Sequence, residues 1–89
     1  MHRLEQAIER IKILECPTGH VEERIAGILE DYQVAQRDEI TVQRDESLDS
    51  IDAQGYHVQL SNNQEQSLRI LAKAGLDDYV AKVTDAYIN

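Results

Sequence analysis

The chain has 89 residues, of which 42% are hydrophobic and 29% charged, and its formal net charge is −8. This size predicts one compact acidic domain over residues 1–89, and the hydrophobic fraction excludes a disordered chain. The negative charge disfavours phosphate backbones and anionic membranes, and no apolar run is long enough to span a bilayer.

The start of the chain is charged and follows a helical pattern, and it lacks the apolar stretch of a signal peptide. Cys16 is the single cysteine, so no disulfide can form within the chain. Both features predict a cytoplasmic protein in a reducing compartment.

Two amphipathic helices are predicted in the first part of the chain. Apolar residues recur at helical spacing over residues 2–15, at Leu4, Ala7, Ile8, Ile11 and Leu14. Ile13 lies nearly opposite this stripe, and we favour simple exposure of its side chain over a partner contact. Pro17 and Gly19 end the first helix, and a second is predicted over residues 20–33. Because the link is short, the two helices should pack as an antiparallel hairpin.

The hydrophobic period becomes alternating in the middle of the chain, which predicts two strands, one over residues 40–43 and one over 56–61. Gln54 and Gly55 resemble a turn. The strands form either a hairpin with a long loop or a three-stranded meander with residues 49–53 as its middle strand. The pattern does not separate these alternatives.

Two more helices are predicted near the end of the chain. The cluster Ser61–Glu65 has capping-box spacing, and the third helix should run from it to about Ala74. Gly75 ends that helix, and the last helix has a stripe of Leu76, Tyr79, Val80, Val83 and Tyr87. The predicted fold class is therefore α+β, with two N-terminal helices, a small antiparallel β-hairpin or three-stranded meander, and two C-terminal helices. A free edge of the strands could pair with a second copy, which makes a homodimer possible.

Catalytic and metal chemistry find no support in the spacing of candidate residues. Cys16 and His20 form a C-x3-H pair, but a zinc site needs about four ligands and the second pair is missing. Counted from Asp45, Ser50 and Tyr56 stand where an EF-hand needs Gly and Glu. The isolated glycines form no phosphate-binding loop. We therefore predict that the protein is not an enzyme and has no catalytic residues, bound metal or cofactor.

The strongest candidate for a functional surface is the acidic segment from Asp38 to Asp52. It has six acidic residues and one basic residue, Arg44, so it supplies −5 of the net charge. Carboxylates spaced along a ribbon can occupy a basic groove in place of phosphates and speed association at long range. Small acidic inhibitors encoded by phages and mobile elements use this physics, and the chain is similar to them in composition only. The alternative is that the acids merely keep a loop solvated.

The leading prediction is a non-catalytic protein-interaction module, a small acidic regulator or inhibitor that acts on a protein partner with a basic surface. The predicted partner-binding residues are Asp38, Glu39, Asp45, Glu46, Asp49, Asp52 and Tyr56. The alternative function is a nucleic-acid-associated regulator that uses Arg69 and Lys73 on the third helix, although the net charge opposes it.

Overall fold

The computed structural model of the chain describes residues 3–61, 67–74 and 79–88. Within these residues the chain forms helix α1 (Arg3–Lys12), strand β1 (Glu15–Pro17), helix α2 (Val21–Asp31) and strands β2 (Ile40–Arg44), β3 (Gln54–Leu60), β4 (Ser67–Ala74) and β5 (Val80–Ile88). Short 3-10 turns lie before α2, before β2 and after β2, at Thr18–His20, Arg37–Glu39 and Glu46–Leu48. Neither helix in this part of the chain is long and apolar enough to cross a membrane.

The described strands form one antiparallel half-barrel sheet in the order β1-β5-β4-β3-β2. Strands β2 to β5 follow one another as a meander, each paired with the next. β1 lies at the opposite edge from β2 and pairs with β5, with Cys16 opposite Ala81. The segment that contains α2 therefore carries the chain from one edge of the sheet to the other.

Both helices pack on one face of the sheet and bury its alternate residues. The largest fully buried side chains come from the helices and from β3 and β4, and are Val21, Ile11, Ile25, Leu29, Val58, Leu60, Leu68 and Ile70. Each such side chain contributes about 1.5–3 kcal/mol through removal from water. The core is therefore aliphatic, and Tyr56 is the aromatic ring within it.

The two predicted C-terminal helices are wrong, because residues 67–74 and 80–88 are strands. In β4 the buried positions alternate with more exposed ones, which is the period of a strand. In β5 a bulge breaks the alternation, since Leu71 pairs with Asp85 but Ala72 pairs with Val83. The predicted arrangement of helices on both sides of a small ribbon is thus wrong, and two helices pack on a five-stranded sheet instead. The α+β class, the two N-terminal helices and the central hairpin remain from the prediction.

The two central strands, β2 and β3, are where the alternation predicted them. They form the hairpin with a long loop and not the alternative in which residues 49–53 are a middle strand, because those residues form no strand. Gln54 and Gly55 begin β3 and are not a turn. The first helix ends at Lys12, so β1 intervenes between the two helices. Most of the predicted capping cluster, residues 62–65, and the predicted helix end at Gly75 lie outside the described residues.

Candidate functional site

The acidic loop, residues 45–53, joins β2 to β3, and the carboxylate of Asp49 holds its base. Arg44 at the end of β2 donates through Nη1 to Asp49 Oδ1 at 2.8 Å and through Nη2 to Oδ2 at 3.1 Å. The Gly55 amide also donates to Asp49 Oδ1, at 2.7 Å, and Arg44 Nη1 reaches the Gly55 carbonyl at 2.8 Å. The hydrogen bonds from Arg44 and then Gly55 lower the pKa of Asp49 to about 2. Asp49 thus ties both stems of the loop together.

Asp45 shapes the start of the same loop. Its Oδ1 accepts from the Ser47 amide at 3.0 Å and from the Ser47 hydroxyl at 2.5 Å, so it caps the 3-10 turn at Glu46–Leu48. The Ser47 hydroxyl is the main cause of the lowered pKa of Asp45. At the tip, the Ser50 amide donates to the Ala53 carbonyl at 2.9 Å. The backbone of the loop is therefore supported at its base, its first turn and its tip.

Tyr56 lies beneath the loop in the core. Its residue is 4% exposed, and the Arg44 guanidinium stands over the ring with Cζ 5.5 Å from the centroid. Burial raises the pKa of the Tyr56 hydroxyl. The cation–π contact fixes the arginine that holds Asp49, so Tyr56 supports the loop from inside and presents almost no surface outside.

The exposed surface of the acidic loop includes an apolar tip and two carboxylates. Ile51 is fully exposed, and Glu46 and Asp52 are exposed on either side of it in sequence. Asp52 Oδ2 lies 3.9 Å from Lys73 Nζ on β4. A shallow cavity of about 410 Å³ runs beside the tip, between residues 49–54 and Lys73. Ile51 is not among the predicted partner-binding residues. The signal that could have found it is that Leu48 and Ile51 are the two large apolar residues in the acidic loop.

Asp38 and Glu39 are not part of this site. They lie in the 3-10 turn before β2, at the other end of that five-residue strand, which separates them from the acidic loop by roughly 17–20 Å. Glu39 Oε1 accepts from the Gln36 amide at 2.9 Å in a capping box. Asp38 is exposed beside an open cavity of about 750 Å³. The structure thus divides the seven predicted partner-binding residues among two surfaces and the core.

Cys16 is buried, whereas His20 is exposed. Burial raises the pKa of the Cys16 thiol, which disfavours the reactive thiolate. The His20 imidazole is exposed, with Nδ1 3.9 Å from a Glu23 carboxylate oxygen. In the part of the chain that the structure describes, no three His, Cys, Asp or Glu side chains come together as metal ligands.

The cations of the alternative function lie on strands, so the helix that it required is absent from residues 67–74. Lys73 on β4 is paired with Lys82 on β5, and Lys82 is in turn opposite Glu15 on β1. With Asp52 near Lys73, each of these lysines has a carboxylate neighbour. This face of the sheet carries mixed charges rather than a basic stripe.

The chain matches no known protein family, no curated protein and no solved structure, so its function is argued from its own residues.

Proposed function

We propose that the protein is a non-catalytic interaction module, a small acidic regulator or inhibitor that binds a basic surface of a partner protein through the acidic loop. The observation that carries the proposal is the fully exposed Ile51 at the tip of a loop whose backbone is fixed by Asp49 and Arg44. A loop already held in one conformation loses little entropy on binding, so more of the contact energy appears as affinity.

The loop combines the two components of a small protein interface. Glu46 and Asp52 provide a charged rim, which attracts a basic partner at long range and mainly raises the association rate. Ile51 provides an apolar centre, and its burial by the partner would contribute about 1.5–3 kcal/mol. The proposed partner surface is therefore an apolar pocket surrounded by Lys or Arg side chains.

In this proposal two carboxylates of the acidic loop hold its conformation and two others contact the partner. Asp45 accepts hydrogen bonds from Ser47 within the loop, and Asp49 accepts them from Arg44 and Gly55 on the flanking strands. Glu46 is exposed, and among the interactions described for Asp52 are only the long contact with Lys73 and a 3.4 Å contact with Ser50. Substitutions that test binding should therefore leave Asp45 and Asp49 in place.

The test begins with a photo-crosslinking residue at position 51, used in the native host to identify the partner by mass spectrometry. A second crosslinker at Ile13, another exposed isoleucine, distinguishes loop contacts from general surface contacts. Partner binding is then measured by stopped-flow at low and high salt. The rate constant of association should fall as salt increases, because screening weakens steering.

Two variants and one matched control separate the contribution of the charged rim from that of the apolar centre. Glu46→Gln with Asp52→Asn should slow association several-fold, while Ile51→Ser should speed dissociation about tenfold, as expected from the loss of an apolar anchor. Glu5→Gln with Glu30→Gln removes the same charge from exposed helical positions and should leave both rates within about twofold of the wild type. Wild-type rates in both loop variants would refute the proposal.

A further inference from the structure

Three arginines from separate parts of the chain line one cavity beside the two helices. Arg10 lies in the last turn of α1, Arg24 lies in α2, and Arg37 lies in the 3-10 turn before β2. The cavity has a volume of about 360 Å³, which is within the range of roughly 300–1,000 Å³ for small-molecule sites. We call it the arginine cavity. The chain has six arginines, so half of them surround this one space.

The rest of the arginine cavity is formed by the end of α1 and by one face of α2. Leu14 and Ile28, both buried, give it an apolar lining. Gly27 also lines it, at helical spacing from Arg24. A Cβ added at Gly27 would meet Arg37 Nη1 at 4.0 Å, which is an ordinary contact distance. The Arg37 guanidinium therefore reaches over α2 at its glycine, where a larger side chain would extend into the cavity.

The three guanidinium groups have no partner among the residues that the structure describes. Each of the three arginines is exposed. The ion pairs found between described residues use other cationic side chains, those of Lys12, His20, Arg44 and Lys73. The chain has 17 acidic and 9 basic residues, so acidic partners are abundant. Three arginines that converge on one cavity without such partners are therefore free to bind an anion.

The local charge also favours an anion, in contrast to the charge of the whole chain. Glu23 and Asp31 are the acidic residues that line the arginine cavity, so three positive side chains face two negative ones. Glu23 Oε2 lies 3.9 Å from His20 Nδ1, so that carboxylate already has a neighbour. Positive charges around one cavity repel each other, and an anion between them replaces this repulsion with attraction.

We infer that the arginine cavity binds a small phosphorylated molecule, with its phosphate held by Arg10, Arg24 and Arg37. Guanidinium groups donate in a planar fork that matches phosphate oxygens, and these hydrogen bonds are among the strong ones because both groups are charged. A phosphate monoester presents three terminal oxygens, which suits donors that come from three elements of the fold. The remainder of the molecule contacts Leu14 and Ile28.

A small ligand fits this site better than a nucleic acid or an anionic membrane. The chain charge of −8 repels a polyanion along its whole length. A single phosphate interacts mainly with the nearest charges, because salt screens the others beyond about 8 Å at physiological ionic strength. The arginine cavity lies at the Arg37 end of β2 and the acidic loop lies at the Arg44 end. The two sites are separate, and either proposal can fail without the other.

Titration of the full chain followed by amide NMR signals tests the inference. The probes are inorganic phosphate and phenyl phosphate, with sodium chloride of equal ionic strength as the reference. Both phosphates should shift the amide signals of Gly27 and Ile28, and sodium chloride should not. Phenyl phosphate should bind at least about threefold more tightly than inorganic phosphate, because its ring buries apolar surface against Leu14 and Ile28. Single-stranded DNA should bind more weakly than phenyl phosphate, and the reverse order would overturn the choice of a small ligand.

Variants with matched controls locate the site. Arg24→Gln and Arg37→Gln should each raise the dissociation constant of phenyl phosphate at least about fivefold, through loss of charge-assisted hydrogen bonds. Arg3→Gln removes the same charge from an exposed position outside the cavity lining and should change the constant less than about twofold, because salt screens that charge. Asp31→Asn should strengthen binding, because it removes a negative charge from the cavity.

Gly27→Met tests the cavity without changing any charge. Its side chain should occupy the space beside Arg37 and weaken phenyl phosphate binding, while methionine is favoured over glycine in a helix interior, so the fold should be kept. Circular dichroism checks that each variant is folded. No response of the Gly27 and Ile28 signals to either phosphate would overturn the inference. So would equal dissociation constants for the wild type, Arg24→Gln and Arg37→Gln, or a loss in Arg3→Gln as large as theirs.

Discussion

Replacing Gly55 with alanine tests how closely the acidic loop lies against β3. No described glycine has a positive φ, so alanine can adopt the backbone angles of Gly55 and the cost arises from contact. An added Cβ would overlap Leu48 Cβ, and it would lie 2.8 Å from the Asp45 carbonyl oxygen and 3.1 Å from the Leu48 carbonyl carbon. Since backbone atoms cannot rotate away, the 3-10 turn of the loop must move.

We expect Gly55→Ala to lower the free energy of unfolding by about 2 kcal/mol, within the range of about 1–3 kcal/mol for overpacked sites. With a urea m-value of about 1–2 kcal/mol/M, the unfolding midpoint should fall by about 1–2 M. Because the turn that carries Glu46 would shift, the variant should also bind the proposed partner less tightly.

Gly27→Ala is the matched control in the middle of α2. A Cβ there meets only Arg37 Nη1, at 4.0 Å, and alanine is favoured over glycine in a helix interior by up to about 1 kcal/mol. We expect this variant to be more stable by about 0.5–1 kcal/mol in the same urea titration. If Gly55→Ala instead stayed within about 0.5 kcal/mol of the wild type, the close approach of Leu48 to β3 would be refuted.

Three other predictions concern the pH dependence of stability, the reactivity of the Cys16 thiol and the packing of the core. The pKa of Asp49 is lowered from 3.8 to about 2, so the stabilisation by this carboxylate is complete above pH 3.8 and is lost as the pH falls toward 2. The Asp49→Asn variant should be less stable at neutral pH and approach the wild type near pH 2 in urea titrations; a constant difference would contradict this. Cys16, whose thiol has a pKa raised by burial, should react with a disulfide reagent at least about a hundredfold more slowly in native protein than in urea, and equal rates would show an accessible thiol. Ile11→Ala should cost about 2–5 kcal/mol of unfolding free energy and Ile13→Ala less than about 0.5 kcal/mol, because only Ile11 is buried; similar losses would contradict the packing of α1.

The N-terminal helices and the central hairpin were predictable because their hydrophobic periods are regular. Ile13 is exposed, as its position opposite the stripe of α1 predicted. β5 was not predictable in this way, because the extra residue Thr84 separates the buried Val83 and Ala86 by three positions, the spacing of a helix. In β4 the alternation of Leu68, Ile70 and Ala72 was present, but Leu71 between them also fits a helical face.

The candidate site was predictable as a region but not residue by residue. The acidic segment could be located by counting charged residues, because this count needs only the sequence and not the fold. The supporting roles of Asp45 and Asp49 depend on the hydrogen bonds that the folded hairpin creates with Ser47, Arg44 and Gly55, and nothing in the spacing of the acids indicates them. Tyr56 was assigned to a partner because tyrosine is common at interfaces, whereas its alternation with Val58 and Leu60 already favoured the core.

The pairing of β1 with β5 should form after the pairing of the other strands. Cys16 and Ala81 are about 65 residues apart, so this contact closes the longest loop among the strand pairs, whereas β2, β3 and β4 can assemble from neighbouring segments. The helices come before most of the sheet in the chain. During synthesis their apolar faces therefore stay exposed until the strands that cover them have been made. Folding of this small chain should therefore be slower than its helical start suggests, and loss of β5 should leave α1 and β1 without their support.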